Sequence, residues 1–401
     1  MNKFVSFLLI LFFINGSFVT AFSPVSASNL AEDSWNTKTP MSQARTGLGV
    51  VAIGDKIYAI GGQTNDNYVG TNERYEPATD TWVTLASMPT PRFNFAIVAF
   101  DGKIYCIGGC SSDNILWSST NFFSSAIEAK FFSYAVEIYD PITDSWSAKS
   151  ALPFNGSSQA HVVNGKIYVL SNSGDLHRYG DLYMYDPVMD SWIKKTSIPK
   201  EPHDTGFAFA SEYLISATIN NEILFTGLFS YNQEAIMYNP ETDVWRQIAN
   251  PQFGLFFNSA IATTGVYAPQ KIYALGVSGN RIYDPVKDTW SMIKNIDTYQ
   301  QNFGVAVVDD LLYVIGGYIH VSWGVREVTS LNEQYIPQGY KGAVPTPTSV
   351  TPQPSNSTTS ESTDPSEPNP IFIITLLSIT VGAASSLILY FNKRKRGLRE
   401  I

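Results

Sequence analysis

YDPITDSW, from Tyr139 to Trp146, reads on its own as a strand, a reverse turn and a second strand. Proline fixes φ at one turn position, and aspartate can bond nearby backbone amides. The chain says nearly the same thing four more times: YEPATDTW at 75–82, YDPVMDSW at 185–192, YNPETDVW at 238–245 and YDPVKDTW at 283–290. In each, tyrosine (Tyr75, Tyr139, Tyr185, Tyr238, Tyr283) and tryptophan (Trp82, Trp146, Trp192, Trp245, Trp290) stand seven residues apart. Large flat side chains at a fixed interval suit the space between packed sheets, so the phrase reads first as glue.

Upstream of these phrases lies a second recurrent stretch. GDKIYAIGG (54–62), DGKIYCIGG (101–109), NGKIYVLSN (164–172) and DDLLYVIGG (309–317) are versions of one strand entered by a tight turn, and NNEILFTGL (220–228) and QKIYALGVS (270–278) are worn copies. An apolar run such as GLGVVAI (47–53) or FNFAIVAF (93–100) precedes each. One unit is therefore four short antiparallel strands in about 45–50 residues. The apolar runs do not alternate strictly with polar residues, which marks strands covered on both faces. Four-stranded sheets of this period, each covered by its neighbours, describe a β-propeller.

There are six Tyr–Pro units, ending with Tyr335 in YIP, which has no tryptophan after it. Near the chain start, Asp33-Ser34-Trp35 has no tyrosine before it. The two orphans complete one another. The fold expected is thus all-β: a six-bladed propeller over residues 33–340, closed by an N-terminal strand that removes an exposed sheet edge.

The glycine pairs Gly61-Gly62, Gly108-Gly109 and Gly316-Gly317, the Tyr-Asp-Pro and the spaced tryptophan together resemble the kelch repeat family. The pair is lost at Ser171-Asn172 and partial at Thr226-Gly227 and Gly276-Val277. The resemblance implies propellers that serve either as binding modules or as enzymes, so function has to be sought in particular residues. Copper-containing galactose oxidases among these relatives use a cysteine-linked tyrosine and histidine ligands. Here Cys106 occupies a repeat core position and His161, His177, His203 and His320 fall in different units, so neither a metal site nor a cofactor is expected. The repeated acids Asp80, Asp144, Asp190, Asp243 and Asp288 belong to the turn, and Glu73, Glu137 and Glu333 precede the repeat tyrosine by two. They are structural positions rather than a hydrolytic pair.

A resemblance to secreted kelch-type sugar epimerases implies a pocket at the channel mouth. Aligned on the KIY strand, the residues entering the first strand of each unit are Arg45, Arg92, Asn155, Ser211, Phe256 and Gln300. Two arginines and two amides, Arg45, Arg92, Asn155 and Gln300, would suit an anionic or hydroxylated ligand there. The alternative is that Arg45 and Arg92 cap loops. Variable loops are the other candidates. The one at 110–133 carries Trp117, Phe122, Phe123, Phe131 and Phe132; that at 171–180 carries His177 and Arg178; and that at 318–326 carries Tyr318, Trp323 and Arg326.

The chain ends place the propeller. Lys3 followed by the apolar run Phe4–Ile14 reads as a signal peptide, residues 1–27, with Ala21 and Ala27 both fitting a cleavage site. Residues 341–370, rich in Pro, Ser and Thr, read as an extended stalk. The uncharged stretch 371–391 would reach about 30 Å as a helix, enough to span a membrane once. The tail 392–401 follows with Lys393-Arg394-Lys395-Arg396, which keeps it in the cytoplasm and the propeller outside. Asn155 and Asn356 head glycosylation sequons. With the +4 of the tail and the +1 of Lys3 set aside, the chain's net charge of −9 becomes −14 for the part between, which argues against nucleic acid as a partner. Cys106 and Cys110 lie too far apart along one extended segment to bridge, so Cys106 reads as core and Cys110 as a loop thiol. The sequence thus points to a cell-surface propeller, non-enzymatic, binding a protein or glycan. The alternative is a tethered carbohydrate-active enzyme of the epimerase kind.

Overall fold

The computed structural model describes residues 31–111, 132–154, 157–171, 181–199, 214–229, 232–251, 257–276, 279–322 and 325–343. The signal, the span, the basic tail and the stalk beyond Ala343 lie outside them. Among the described residues no helix is long and apolar enough to cross a membrane.

The chain opens with β1 (Ser34–Lys38) and then builds four-stranded antiparallel sheets in sequence order. Blade 1 is β2 (Gly49–Ile53), β3 (Lys56–Ile60), β4 (Asn72–Glu76) and β5 (Thr81–Leu85). Blade 2 is β6 (Ala96–Phe100), β7 (Lys103–Ile107), β8 (Val136–Asp140) and β9 (Ser145–Ala148). Blade 3 is β10 (Ser157–Val163), β11 (Lys166–Ser171), β12 (Leu182–Asp186) and β13 (Ser191–Lys194). Blade 4 is β14 (Leu214–Ile219), β15 (Glu222–Phe229), β16 (Asn232–Asn239) and β17 (Val244–Gln247). Blade 5 is β18 (Phe257–Ala262), β19 (Ile272–Gly276), β20 (Asn280–Asp284) and β21 (Thr289–Ile293). Blade 6 takes β22 (Gly304–Val308), β23 (Leu311–Ile315), then a two-stranded hairpin, β24 (Tyr318–Ser322) and β25 (Val325–Val328), and finally β26 (Asn332–Ile336). Its fourth strand is β1, in the order β1-β26-β23-β22, with Trp35 opposite Tyr335. The N-terminal closure expected from the two orphan phrases is therefore the one observed.

The first strands of successive blades lie side by side, β2 by β6, β6 by β10, β10 by β14, β14 by β18, β18 by β22 and β22 by β2, so the ring is closed. The apolar core is not central. It forms six wedges, each between two adjacent blades: Val163, Leu170 and Leu214, for example, fill that between blades 3 and 4, and Leu275, Phe303 and Leu312 that between blades 5 and 6.

The recurrent phrase turns out to reach further than its own turn. All six tyrosines are buried and face their tryptophans across the third and fourth strands, with ring centroids 4.7–5.1 Å apart. Each tyrosine hydroxyl donates to the turn aspartate, as Tyr75 to Asp80 (2.6 Å) and Tyr335 to Asp33 (2.6 Å). Those aspartates sit at φ of 48–57°, a left-handed conformation that aspartate tolerates better than most residues. The same carboxylate then accepts an amide from the preceding blade, and the tryptophan indole donates to the carbonyl of that same residue. Asp80 and Trp82 hold Thr39 (2.9 and 2.8 Å), and Asp144 and Trp146 hold Ala86 (2.8 and 2.8 Å). Asp190 and Trp192 hold Ser150, Asp243 and Trp245 hold Thr196, and Asp288 and Trp290 hold Ala249. Asp33 and Trp35 complete the circle on Lys294 (3.2 and 3.0 Å). The phrase is a six-fold clasp between blades.

Cys106 and Cys110 are not joined. Cys106 is core as expected. Cys110, expected in a loop, is buried and bridged through its backbone to Phe93 and Phe132.

Candidate functional site

The connections between strands divide the propeller into two faces. One face carries the turns between first and second strands and the Tyr-x-Pro turns. The opposite face, called here the loop face, carries the second-to-third connections and the links from one blade to the next. The sequence-derived candidates among the described residues, Arg45, Arg92, Gln300 and Arg326, belong to the loop face. Asn155, Trp117 and Trp323 lie outside the described residues, as do Ser211 and Phe256.

Arg45 and Arg92 are fully buried. Arg45 donates to the carbonyls of Gly61 (2.8 Å), Thr71 (2.8 Å) and Ala59 (3.2 Å) and to the carboxylate of Glu73 (2.7 Å). Arg92 repeats the arrangement one blade on, with the carbonyls of Thr90 (3.1 Å) and Cys106 (3.0 Å) and the carboxylate of Glu137. Gln300 is buried at the same station of blade 6 and donates to the Gly316 carbonyl (2.9 Å). These three side chains tie the blade's inner loops together, and none presents a donor at the surface. Burial lowers the Arg45 guanidinium to about 10, with Glu73 acting against the shift. Because Gln300 replaces the arginine, buried Glu333 has, among the described residues, no cation partner, and the Thr37 hydroxyl (3.1 Å) lies beside it. Burial raises its carboxyl above the ordinary range, partly offset by that hydroxyl.

Two residues beyond each of these stations the sequence reading passed over a second ring. Gly47, Asn94 and Asn302 all have left-handed backbones, with φ of 60°, 48° and 51°. The amide of Gly47 donates to the Asn302 carbonyl (2.9 Å) and that of Asn94 to the Gly47 carbonyl (2.8 Å), stitching blades 6, 1 and 2 around the channel mouth. A Cβ on Gly47 would meet Asn94 Oδ1 at 2.5 Å, so the asparagine amide lies directly over that backbone. Asn258 of blade 5 extends the arc by accepting the Asn302 amide (3.3 Å), and its buried Nδ2 has no hydrogen-bond partner among the described residues.

Outside this ring, the residue after each intact glycine pair forms bridges to both flanking segments. Gln63 pairs with Thr46 and Tyr68, Cys110 with Phe93 and Phe132, and Tyr318 with Gln301 and, at the base of the hairpin, with Val328. Blades 6, 1 and 2, the three with intact pairs, thereby share one raised rim. The rim carries a parallel stack of Tyr68 on Phe93 (5.0 Å, 2°), and Arg326 lies over the Tyr318 ring (4.8 Å). Arg326 is the one sequence candidate placed on described, partly accessible rim. The loop read at 318–326 is the β24–β25 hairpin, with His320 and Val325 exposed. The signal that would have found this rim was the glycine pair, kept in three consecutive blades and worn in the other three.

Blades 3 and 4 meet differently, through a polar seam between β10 and β14. Thr218 lies 3.0 Å from His161 Nδ1, His161 Nε2 lies 2.5 Å from Ser216 Oγ, and Ser216 bonds Gln159, which donates to the Leu214 carbonyl. If Ser216 donates to Gln159 Oε1 it accepts from Nε2–H, leaving Nδ1 to accept from Thr218, so the network is complete with a neutral imidazole. Desolvation holds His161 down at about 3. Among the described residues no group of three or more His, Cys, Asp or Glu side chains is placed to hold a metal ion.

Closed ring and clasp together define a six-bladed β-propeller whose loop face is bridged, among the described residues, over blades 6, 1 and 2. The Kelch motif model matches residues 44–89 and 91–153, which are the first two units of the six-bladed propeller. Among solved structures it is similar to one titled "Structure of YjhT", at 13% identity and a TM-score of 0.55, over 73% of this chain and 95% of that one. At that identity the likeness concerns the fold alone. No curated protein matches the chain in sequence.

Proposed function

We propose that this kelch propeller is a surface-anchored binding module that recognises a protein or glycan with its loop face. The observation that carries the reading is the shared rim over blades 6, 1 and 2. There, main-chain bridges hold Tyr68 stacked on the buried Phe93 ring, the accessible amides of Asn94, Gln301 and Asn302, and Arg326 over the Tyr318 ring in fixed positions. Aromatic faces and neutral amides on rigid backbone suit recognition, because little conformational freedom is lost when a partner arrives. Kelch propellers commonly bind proteins, which fits the same surface. Anchoring is supported by the uncharged stretch 371–391 and the basic run after it.

The test is a binding screen of the full chain, in detergent, against oligosaccharides and candidate extracellular proteins, followed by Tyr68→Ala and Arg326→Ala. A ligand at roughly 100 times its dissociation constant stabilises by about 2.7 kcal/mol and is read as a raised melting temperature. Both variants should weaken binding without changing the melting temperature of the unliganded protein. Binding untouched by either variant, and lost on changing the opposite face, would place recognition elsewhere.

A further inference from the structure

The face opposite the rim carries apolar side chains at the tips of its turns. Ile142 of blade 2 and Val286 of blade 5 are each 92% exposed, and Val188 and Met189 of blade 3 are 84% and 71% exposed. These tips stand on blades 2, 3 and 5, so they are spread around the ring and are not collinear. Three separated points of contact suit a flat partner rather than a groove.

The polar groups beneath the tips are already satisfied. Asp140 accepts the Ile142 amide (2.9 Å) and pairs with Lys103; Asp186 accepts the amides of Val188 (3.0 Å) and Met189 (3.2 Å) and pairs with Lys166 (2.6 Å). Asp284 accepts the amides of Val286 (3.0 Å) and Lys287 (3.2 Å) and pairs with Lys271 (2.6 Å). A turn whose amides are bonded and whose carboxylate is neutralised loses little when water is removed from its tip. Blade 4 shows the contrast, since its turn presents the charge of Glu241.

The chain leaves the propeller at this same face. β26 ends at Ile336, next to the Tyr-x-Pro turns, and Lys341 bonds the Tyr267 carbonyl (2.7 Å) in the loop between β18 and β19. From there it runs toward the uncharged stretch 371–391.

We propose that the turn face seats on the lipid surface of the membrane, with Ile142, Val188, Met189 and Val286 entering the headgroup layer. This rests on the anchoring reading above. Seated so, the propeller holds its rim away from the membrane, and the Pro/Ser/Thr-rich residues 341–370 serve as a slack tether between seat and span rather than as a spacer. Lipid of no net charge is the partner chosen, because the lysines beneath the tips, Lys103, Lys166 and Lys271, are already paired with aspartates.

The experiment uses the full chain reconstituted in phosphatidylcholine vesicles, with an environment-sensitive dye on a cysteine introduced as Ile142→Cys, Val286→Cys or, on the loop face, Asn65→Cys. Alkaline extraction reports separately whether the chain is embedded. The seat predicts blue-shifted emission and quenching by a lipid-borne quencher at 142 and 286, but not at 65. In an Ile142→Asp/Val188→Asp/Val286→Cys chain the quenching at 286 should disappear, with melting temperature and embedding unchanged. An embedded chain whose dyes at 142 and 286 are as aqueous as at 65 overturns the seat and leaves anchoring standing. A chain released by alkali overturns anchoring, and the seat with it.

Discussion

Arg92→Met is the substitution that best separates a structural arginine from a ligand-holding one. Its guanidinium bonds the buried Cys106 carbonyl, the half-buried Thr90 carbonyl and the carboxylate of Glu137, whose side chain is 9% exposed. Removing the cation leaves Glu137 as a buried charge whose one remaining partner among the described residues is the Thr90 hydroxyl (2.9 Å). Breaking a buried pair from one side costs about 3–5 kcal/mol, whereas replacing both partners by apolar groups of similar volume is often close to neutral. Arg92→Met should therefore lose about 3–5 kcal/mol, and Arg92→Met/Glu137→Met should lose less than the single arginine variant. Urea unfolding followed by tryptophan fluorescence reads this directly, because the clasp tryptophans report ring integrity. A loss below about 1 kcal/mol for Arg92→Met, with effects that simply add in the double variant, would refute the tie and return Arg92 to the ligand candidates.

Three further outcomes follow from neighbouring features. Gln300→Arg should give Glu333 the cation it lacks; stability at neutral pH rises, and the raised carboxyl of Glu333, which now weakens the fold as pH rises through the carboxylate range, moves down, as NMR titration would show. His161 is held at about 3 against an ordinary value near 6.5, so its contribution is complete above about 6.5 and is lost as pH falls toward 3, at up to about 1.4 kcal/mol per pH unit. His161→Gln should flatten that limb of the melting-temperature profile. Asp33→Ala leaves the part-buried Tyr335 hydroxyl without its acceptor and should cost about 1–3 kcal/mol by urea unfolding, and Asp144→Ala should lower the melting temperature through Tyr139 in blade 2.

The ring was legible because its signals are local. Turn residues, apolar runs and the spacing of Tyr139 to Trp146 all lie within a few residues of one another, and the unmatched Trp35 and Tyr335 could be paired by counting. The clasp was legible only in half. Asp and Trp announce themselves, but what they grip is the backbone of Thr39, Ala86, Ser150, Thr196, Ala249 or Lys294, and any residue offers an amide and a carbonyl. Arg45 and Arg92 were found by alignment, yet their direction depends on Glu73 and Glu137, which the sequence placed in the repeat without showing them to be partners. The ring of Gly47, Asn94 and Asn302 escaped because asparagine with a left-handed backbone looks, in sequence, like any loop asparagine.

Blade 6 has a mechanical consequence. Because β1 arrives from the other end of the chain to take the outermost place, the last strand of the propeller, β26, lies inside its sheet between β1 and β23. Any pull transmitted through the C-terminal segment enters at Ile336, and the strand it loads is bonded along both edges. Had the strands of blade 6 followed chain order, the same pull would have unzipped an outer edge one bond at a time. Here it must shear two ladders together. A load on this end of the chain falls on the wall of the ring rather than on its seam.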